Sequence, residues 1–296
     1  MTEQDVELRT SGARGVEEMC LPGTIETVRG TVRKEGPAHI SRRSALIGGV
    51  GTAAAGVLPR RALASTTPTE PRSQDLTHLF REGFPVYTFD PPVRRTLVTV
   101  EQDGFYSQEW RFGEHSGTHL DAPGHFIAGG RYSPEIMPEE LFVPVAVIDI
   151  SERVADNPDA VVTPGDVKRY ERRYGRIPKG AGVFMYSGWE RRVGDPDAFK
   201  NVGPDGKFHF PGFGVRAVEW LLTNRDITCI GVDTLSLDPG RSTTFAAHLT
   251  ILGADKYGLE NIANLRRIPP RGARVFVGLI PWEEGSGGPC RLIARW

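Results

Sequence analysis

The chain has 296 residues, a formal net charge of −1 and an ordinary share of apolar and charged residues, which excludes global disorder and collagen-like structure. The near-neutral charge offers no electrostatic footprint for nucleic acid, and no apolar run reaches the ~18 residues of a membrane helix. Three cysteines are too few for a disulfide scaffold or a four-thiolate zinc site. We therefore expect no nucleic-acid partner and no membrane span.

Residues 1–64 differ from the rest of the chain. The first 40 residues show neither helical nor strand periodicity and are predicted to be disordered. Arg42 and Arg43 then precede a mildly apolar, Gly/Ala-rich run and the small-residue pattern Ala62-Leu63-Ala64. A charged region, a short apolar region and an A-x-A site together form an export signal, and the paired arginines resemble a twin-arginine signal. We expect cleavage after Ala64, export by the twin-arginine machinery and a periplasmic or extracellular location. The alternative is a cytosolic protein with a flexible tail.

From residue 75 onward, short strands broken by Gly and Pro outnumber helices. The predicted strands are Thr96–Glu101, Val143–Ile150, Gly182–Ser187, Ile227–Val232 and Arg274–Ile280. The predicted helices are Thr163–Tyr174, Val215–Asn224, Ala246–Leu252 and a fourth that begins near Leu259. Because strands and helices do not alternate regularly, we expect one mixed α/β domain over residues 65–296 rather than a doubly wound sheet. Asn201–Gly214, rich in Gly, Pro and Phe, is predicted to be a long loop of the kind that covers a binding site.

Three histidines and an aspartate lie within eleven residues, in the run His115-Ser116-Gly117-Thr118-His119-Leu120-Asp121-Ala122-Pro123-Gly124-His125. Imidazole and carboxylate without thiolate suit zinc, manganese or iron. On a strand, His119 and Asp121 share one face about 6.6 Å apart, close enough to chelate one ion. In an extended chain His115 would lie about 13 Å from His119, so the chain must bend, and Gly117 can bend without a Cβ penalty. Thr118 is a candidate hydrogen-bond donor to one of these ligands.

The complete pattern H-x-G-T-H-x-D-x-P-x-H resembles the signature of the metal-dependent cyclase family, which includes bacterial kynurenine formamidases and isatin hydrolases. The resemblance spans roughly Asp75 to Trp296. It implies a single domain with a barrel-like mixed sheet and flanking helices, of the swivelling β/α type, and two bound divalent metal ions. It also implies that His115, His119 and Asp121 are metal ligands and that His125 is the catalytic acid/base. Zinc, manganese and iron are all compatible with these ligands, and zinc or manganese is expected.

The family completes its site with a histidine and, twelve residues later, a bridging glutamate, which implies that His248 and Glu260 are ligands. On one unbroken helix these two residues would stand ~18 Å apart, too far to meet. Gly253 and Gly258 interrupt the segment and allow the glutamate to fold back. In family members an aromatic residue near the N-terminus contacts the substrate, and Tyr87 is the candidate for that role here.

These features predict a metal-dependent amidohydrolase that acts on C–N bonds. Bound metal ions lower the pKa of water to roughly 7, so we expect hydroxide to attack the carbonyl of an aryl formamide or cyclic amide, with His125 protonating the leaving nitrogen. A polyketide-type cyclase or dehydratase would use the same ions to polarise a ketone. A non-catalytic, metal-dependent binding protein would share the ligands without needing His125. Family members are commonly oligomeric, so we expect a homo-oligomer whose substrate is a small aromatic amide.

Three features stay open at the level of sequence. Cys229 and Cys290 would remain after cleavage, and the sequence does not say whether they pair. Asp233, at the end of a predicted strand, either faces the site or forms a turn. The Gly-rich segment Gly285–Gly288 either rims the pocket or is a simple turn.

Overall fold

The computed structural model describes residues 71–296. The predicted leader with its arginine pair, and the predicted start of the domain at residue 65, lie outside the described residues. The described chain divides into a small compact unit, Arg94–Trp110, and a large one formed by the residues up to Val93 together with Arg111–Trp296. No helix in residues 71–296 has both the length and the apolar character needed to cross a membrane.

The small unit is a two-stranded ribbon. Strand β2 (Val93–Val98) pairs with β3 (Ser107–Arg111), and the short helix α1 (Val100–Asp103) lies between them in the chain. Thr99 caps α1, its hydroxyl accepting a hydrogen bond from the backbone N–H of Gln102. The strand predicted over Thr96–Glu101 is therefore right only as far as Val98, because the cap ends it.

The large unit is built around a closed sheet of seven strands. They are β4 (His119–Asp121), β5 (Phe142–Asp149), β7 (Ala181–Tyr186), β9 (Ile227–Val232), β10 (Tyr257–Glu260), β11 (Arg271–Leu279) and β12 (Gly287–Arg295). The order around the barrel is β12-β11-β5-β7-β9-β10-β4, and β4 pairs back to β12. Strands β5, β7, β9 and β10 run parallel, and the other pairings are antiparallel. The prediction of a mixed α/β fold with a barrel-like sheet is confirmed.

Short elements and helices surround this barrel. Strand β1 (Ser73–Asp75) pairs with the end of β12, while β6 (Val161–Val162) and β8 (Gly212–Phe213) form a separate parallel pair. The helices of the large unit are α2 (Ser151–Asp156), α3 (Pro164–Tyr174), α4 (Pro196–Lys200), α5 (Val215–Asn224) and α6 (Ala246–Gly253). Single 3₁₀ turns lie at Pro123–His125, Ser133–Glu135, Pro138–Leu141, Trp189–Arg192 and Leu265–Arg267.

Side chains alternate between two cores along the barrel strands. In β5, Val145 and Val147 belong to a cluster inside the barrel, whereas Ala146 and Ile148 face a second cluster formed with the helices. Burial on both faces explains the near-continuous apolar run from which this strand was predicted.

Most of the predicted elements are confirmed. The four strands predicted after residue 140 match β5, β7, β9 and β11 to within three residues at each end, and the first three helices match α3, α5 and α6. The fourth helix is wrong, because Leu259 and Glu260 end strand β10 instead. Residues 257–260 are held as a strand by pairing on both sides, with β9 and with β4, and this tertiary pairing overrides local propensity.

Candidate metal centre

Two neighbouring strands bring an imidazole and two carboxylates onto one face. In β4, Leu120 packs inside the barrel, so the side chains of His119 and Asp121 point outward, as the strand periodicity predicted. In β10, Glu260 lies opposite His119, and Gly258 lies opposite Asp121. A Cβ atom at Gly258 would lie 3.3 Å from Asp121 Oδ2, so the glycine leaves room for that carboxylate.

The predicted bend at Gly117 brings His115 to the same place. Gly117 adopts φ +69°, a left-handed conformation that side chains rarely adopt, and a Cβ there would also meet the ring of Phe80 at 2.6 Å. As a result His115 Nδ1 lies 2.6 Å from Asp121 Oδ1. The bend at Gly117 therefore brings the ring centroids of His115 and His119 to within 5.4 Å of each other.

Helix α6 contributes His248 from above the two strands. Its Nε2 atom lies 3.0 Å from Glu260 Oε1 and 3.6 Å from Asp121 Oδ2. Glu260 Oε2 lies 3.4 Å from His119 Nε2, which is 3.3 Å from Asp121 Oδ1. The structure thus brings together the two carboxylates and the histidines that the family resemblance named. Glu260 reaches them from a strand, after the chain turns beyond Gly253, and not from the expected helix.

Each of these histidines has its outer ring nitrogen held by a different group. His119 Nδ1 donates to the carbonyl of Gly117 at 2.9 Å, and His248 Nδ1 donates to Asp238 Oδ2 at 2.7 Å. His115 Nε2 lies 2.9 Å from Ser286 Oγ, and this hydroxyl in turn donates to a carboxylate oxygen of Glu114. Such partners orient a ring so that its other nitrogen points at a metal ion. The sequence analysis did not identify Asp238 or Glu114, and it included Ser286 only as part of the Gly-rich segment Gly285–Gly288.

The carboxylates of Asp121 and Glu260 are buried and need positive charge nearby to be stable in their ionised form. Burial opposes the charged form of Asp121, yet the adjacent imidazoles of His119, His115 and His248 hold the pKa of Asp121 well below its usual range. Burial would lower the pKa of His119, but Asp121 and Glu260 raise it to about 10. The pKa of His248 is likewise raised well above its ordinary value, against burial, by the adjacent carboxylates of Asp121, Asp238 and Glu260. These shifts reflect the negative charge of two carboxylates in one buried space, which a bound cation would compensate.

The donor atoms fit a divalent metal ion. His119 Nε2 and Asp121 Oδ2 are buried and, within residues 71–296, have no hydrogen-bond partner, a state that buried polar atoms rarely tolerate. Ligand atoms of His119, Asp121 and Glu260 lie within 4.8 Å of one another, and so do those of His115, Asp121 and His125. Nitrogen and carboxylate oxygen together suit zinc, manganese or iron.

His125 borders a cavity beside this cluster. It ends the 3₁₀ turn Pro123–His125, and its ring stacks on His115 at a centroid distance of 3.7 Å. Burial lowers the pKa of His125 to about 4, against the opposing effect of Asp121. The cavity holds about 180 Å³, and its lining includes His115, His119, Asp121, His248 and Glu260.

Aromatic side chains form the rest of the cavity wall. Tyr87, the predicted substrate-contacting aromatic, lines the cavity together with Phe89, Phe126 and Phe245. Phe126 packs against both Phe245 and the ring of His248, with centroids 5.4 and 4.7 Å apart. Phe126 and Phe245 were missed in the sequence, although each lies within three residues of a motif histidine.

The segment Asn201–Gly214 does not line the cavity through its phenylalanines. Phe208 and Phe210 lie behind Tyr87, with ring centroids 5.0 and 6.3 Å from it, and Phe213 is buried in the core with the helices. The segment also contains strand β8 and is less irregular than predicted. It supports the wall of the site without covering it.

The side chains of Thr118 and Asp233 form hydrogen bonds with residues other than the candidate ligands. Thr118 donates to the carbonyl of Asn261 at 2.6 Å and to no candidate ligand, so that suggestion is wrong. The carboxylate of Asp233 accepts hydrogen bonds from the backbone N–H groups of Ser187 and Trp189, which is the turn-forming alternative. Burial raises its pKa to about 7.

The structure also shows the positions of the Gly-rich segment Gly285–Gly288 and of the two cysteines. The Gly-rich segment contacts the site, because Ser286 meets His115. Cys229 and Cys290 are both buried and unpaired with each other.

Comparison with known proteins agrees with this geometry. Residues 74–239 match the family described as "Putative cyclase". The chain belongs to this cyclase family. An isatin hydrolase of Roseibium aggregatum is 34% identical over 238 residues, covering 74% of this chain and 90% of that protein. A kynurenine formamidase of Erythrobacter litoralis is 24% identical, covering 78% and 97%.

Solved structures show the same cyclase-family fold. Isatin hydrolase A from Ralstonia solanacearum superimposes with a TM-score of 0.72 at 35% identity, covering 76% of this chain and 92% of that chain. An isatin hydrolase bound to the product analogue thioisatinate gives a TM-score of 0.73 at 30% identity, covering 77% and 93%. The predicted class, a hydrolase that acts on C–N bonds, is confirmed by these relatives. The set of histidine and carboxylate donors indicates a divalent metal ion.

Proposed function

We propose that this enzyme hydrolyses an uncharged aromatic amide, with cyclic amides of the isatin type as the preferred class and simple aryl formamides as the second. The main support for this proposal is the lack of lysine and arginine among those of residues 71–296 that line the cavity. N-formylkynurenine bears an α-carboxylate and an α-ammonium group, and the carboxylate would meet no lysine or arginine there. Desolvating an unpaired charge is costly, so a neutral ring is favoured.

Size and similarity support the same choice. Pockets for drug-sized ligands typically measure roughly 300–1,000 Å³, and this cavity of about 180 Å³ suits one or two fused rings. The rings of Tyr87, Phe126 and Phe245 offer the edge-to-face contacts that aromatic substrates prefer. The isatin hydrolases are also more similar to this chain than the kynurenine formamidase of Erythrobacter litoralis is.

Two divalent ions, zinc or manganese, are proposed to bind between the two carboxylates. His115, His119 and Asp121 would hold the first ion. His248 and Glu260 would hold the second. When bound, such ions supply Lewis acidity toward the amide carbonyl and the attacking water. The supporting observations are the buried, unpartnered His119 Nε2 and Asp121 Oδ2 and the convergence of all five side chains.

His125 is proposed to move the proton. Its ring lies at the border between the ligand cluster and the aromatic wall, where the scissile C–N bond of a bound amide would lie. Stacking on His115 and an edge contact with Phe126, at 4.6 Å between centroids, keep the ring in this place. Neutral imidazole takes a proton from the attacking water and returns it to the leaving nitrogen. Phe126 and Phe245 shield this end of the cavity from bulk water.

A matched substrate panel tests the proposal. Full-length protein loaded with zinc or manganese is assayed on isatin, formanilide, N-formylanthranilate and N-formylkynurenine. Formanilide and N-formylanthranilate differ by one ring carboxylate, so their ratio isolates the effect of charge. We expect kcat/KM for isatin and formanilide to exceed that for each charged substrate by about tenfold or more, the effect of about 1.4 kcal/mol. Equal or better turnover of N-formylkynurenine contradicts the proposal. No turnover of any substrate, with tight binding of an aromatic acid, favours the binding-protein alternative.

Export and assembly remain proposals of their own. The sequence pattern around Arg42 and Arg43 supports twin-arginine export to the periplasm or beyond, and replacing both residues by lysine should retain the protein in the cytoplasm. Unchanged export of that variant contradicts the proposal. A homo-oligomer is proposed from family resemblance, and light scattering of the purified protein tests it.

A further inference from the structure

Residues 236–240, here named the support segment, touch both ligands proposed for the second ion. The backbone N–H of Leu237 donates to Glu260 Oε1 at 2.8 Å. The carboxylate of Asp238 accepts from His248 Nδ1 at 2.7 Å. It also accepts from the first turn of α6, at the backbone N–H groups of Ala247 (2.9 Å) and His248 (3.0 Å). One short stretch of chain therefore orients a carboxylate on β10 and an imidazole on α6.

The support segment is itself held rigidly from the other side. The N–H of Phe213 donates to the carbonyl of Leu237 at 2.7 Å, and the N–H of Gly240 donates to the carbonyl of Phe210 at 2.8 Å. A Cβ atom at Gly212 would lie only 2.4 Å from the carbonyl carbon of Asp238, so the two backbones are in direct contact. Asp238 is 3% exposed. Its carboxylate has little freedom to leave His248.

We propose that Asp238 is a positioning residue for the metal centre: it fixes His248 with Nδ1–H outward and Nε2 toward Glu260 and Asp121, and so controls binding of the second divalent ion. The inference rests on the metal dependence of the proposed function. A carboxylate on the outer nitrogen also raises the basicity of a ligating imidazole. The outer partners of His119 and His115 are a carbonyl and a hydroxyl, which are uncharged, so this strengthening is largest at His248.

The test compares two buried aspartates. Asp238→Asn keeps the shape of the side chain and one acceptor oxygen but removes the charge. Asp233→Asn is the control, because Asp233 is equally buried but holds Ser187 and Trp189 and no ligand. Zinc stoichiometry and affinity are measured by competition with a chelator and by elemental analysis. We expect a weakening of about 10–100-fold for one of the two ions in Asp238→Asn, and wild-type affinity for both ions in Asp233→Asn. Wild-type affinity in Asp238→Asn, or equal weakening in both variants, overturns the proposal.

A second measurement uses the wild-type protein and stays decisive if Asp238→Asn does not fold. In protein labelled with ¹⁵N-histidine and loaded with ¹¹³Cd, the one-bond cadmium coupling of His248 should fall on Nε2 and the ring proton on Nδ1. Coupling to Nδ1, or none to His248, refutes the assignment. These readouts do not depend on turnover. If the loaded enzyme hydrolyses no amide, the proposed function fails while the role of Asp238 is still decided.

Discussion

Replacing His125 by alanine distinguishes between two candidate roles of this side chain, proton transfer and metal binding, because its position is compatible with both. Its ring stacks on His115 at 3.7 Å, and one of its nitrogens lies within 4.8 Å of ligand atoms of His115 and Asp121, which is close enough for a metal ligand. As an acid/base, His125 contributes a proton transfer commonly worth 10²–10⁴ in rate. That factor corresponds to about 2.7–5.4 kcal/mol of transition-state stabilisation. As a ligand, its loss would instead reduce metal content.

We expect His125→Ala to lower kcat by two to four orders of magnitude while metal per chain stays at the wild-type value. The reason is that His115, His119, Asp121, His248 and Glu260 remain in place around the ions. KM should change little, because the aromatic wall that binds the ring is untouched. The assay measures kcat and KM on isatin, together with elemental analysis of dialysed protein.

Two controls sharpen this experiment. His209→Ala removes a histidine that pairs with Asp159 and Asp205 and does not line the cavity, and it should leave kcat unchanged. Added imidazole should restore part of the activity of His125→Ala, since the space left by the ring opens on the cavity. Loss of one metal equivalent in His125→Ala would refute the acid/base assignment and make His125 a ligand.

Two further variants test the site and the scaffold. Glu260→Ala should lower metal per chain, because Glu260 faces both His119 and His248; full metal occupancy by elemental analysis would show that Glu260 is not a ligand. Asp166 has a pKa of about 2 because hydrogen bonds from Arg153 and Thr163 outweigh its burial. Its folded-state pKa lies below the unfolded value, so its contribution to stability is present above pH 4 and is lost as the pH falls toward 2. We expect about 1–2 kcal/mol of unfolding free energy to disappear across that window, after allowance for screening of the exposed arginine. In Asp166→Asn, urea unfolding at pH 7 should show lower stability with less further loss at pH 3, and an unaltered pH dependence would contradict this.

The local part of the site was predictable because it obeys short-range geometry. A period of two places His119 and Asp121 on one face, and the need to bring back His115 points to a bend at Gly117; the structure has both. The long buried strands and the capped helix α3 were predictable for the same kind of reason, since their signals lie within about ten residues of each other.

What the sequence did not predict depends on pairing between distant segments. Strand β10 has four residues, too few for a periodic signal. It exists because β9 lies on one side of it and β4 on the other, and Glu260 pairs with His119, 141 positions earlier. The sequence therefore suggested a helix for Glu260, whereas the structure places it on β10 beside His119 and His248. Asp238 precedes His248 by ten residues without any repeating pattern, and only the contact between Gly212 and the support segment shows why it is fixed there.

The strand that closes the barrel also carries two of the proposed metal ligands. Strand β4, which carries His119 and Asp121, has three residues, yet it pairs with β10 on one side and β12 on the other and so closes the ring. Closure forces Asp121 and Glu260 into the same buried space, and two such carboxylates are unfavourable without compensating positive charge. Divalent ions bound by His119, Asp121, His248 and Glu260 would supply that charge. Because β4 both closes the barrel and carries two of these ligands, metal binding and barrel closure depend on the same three residues.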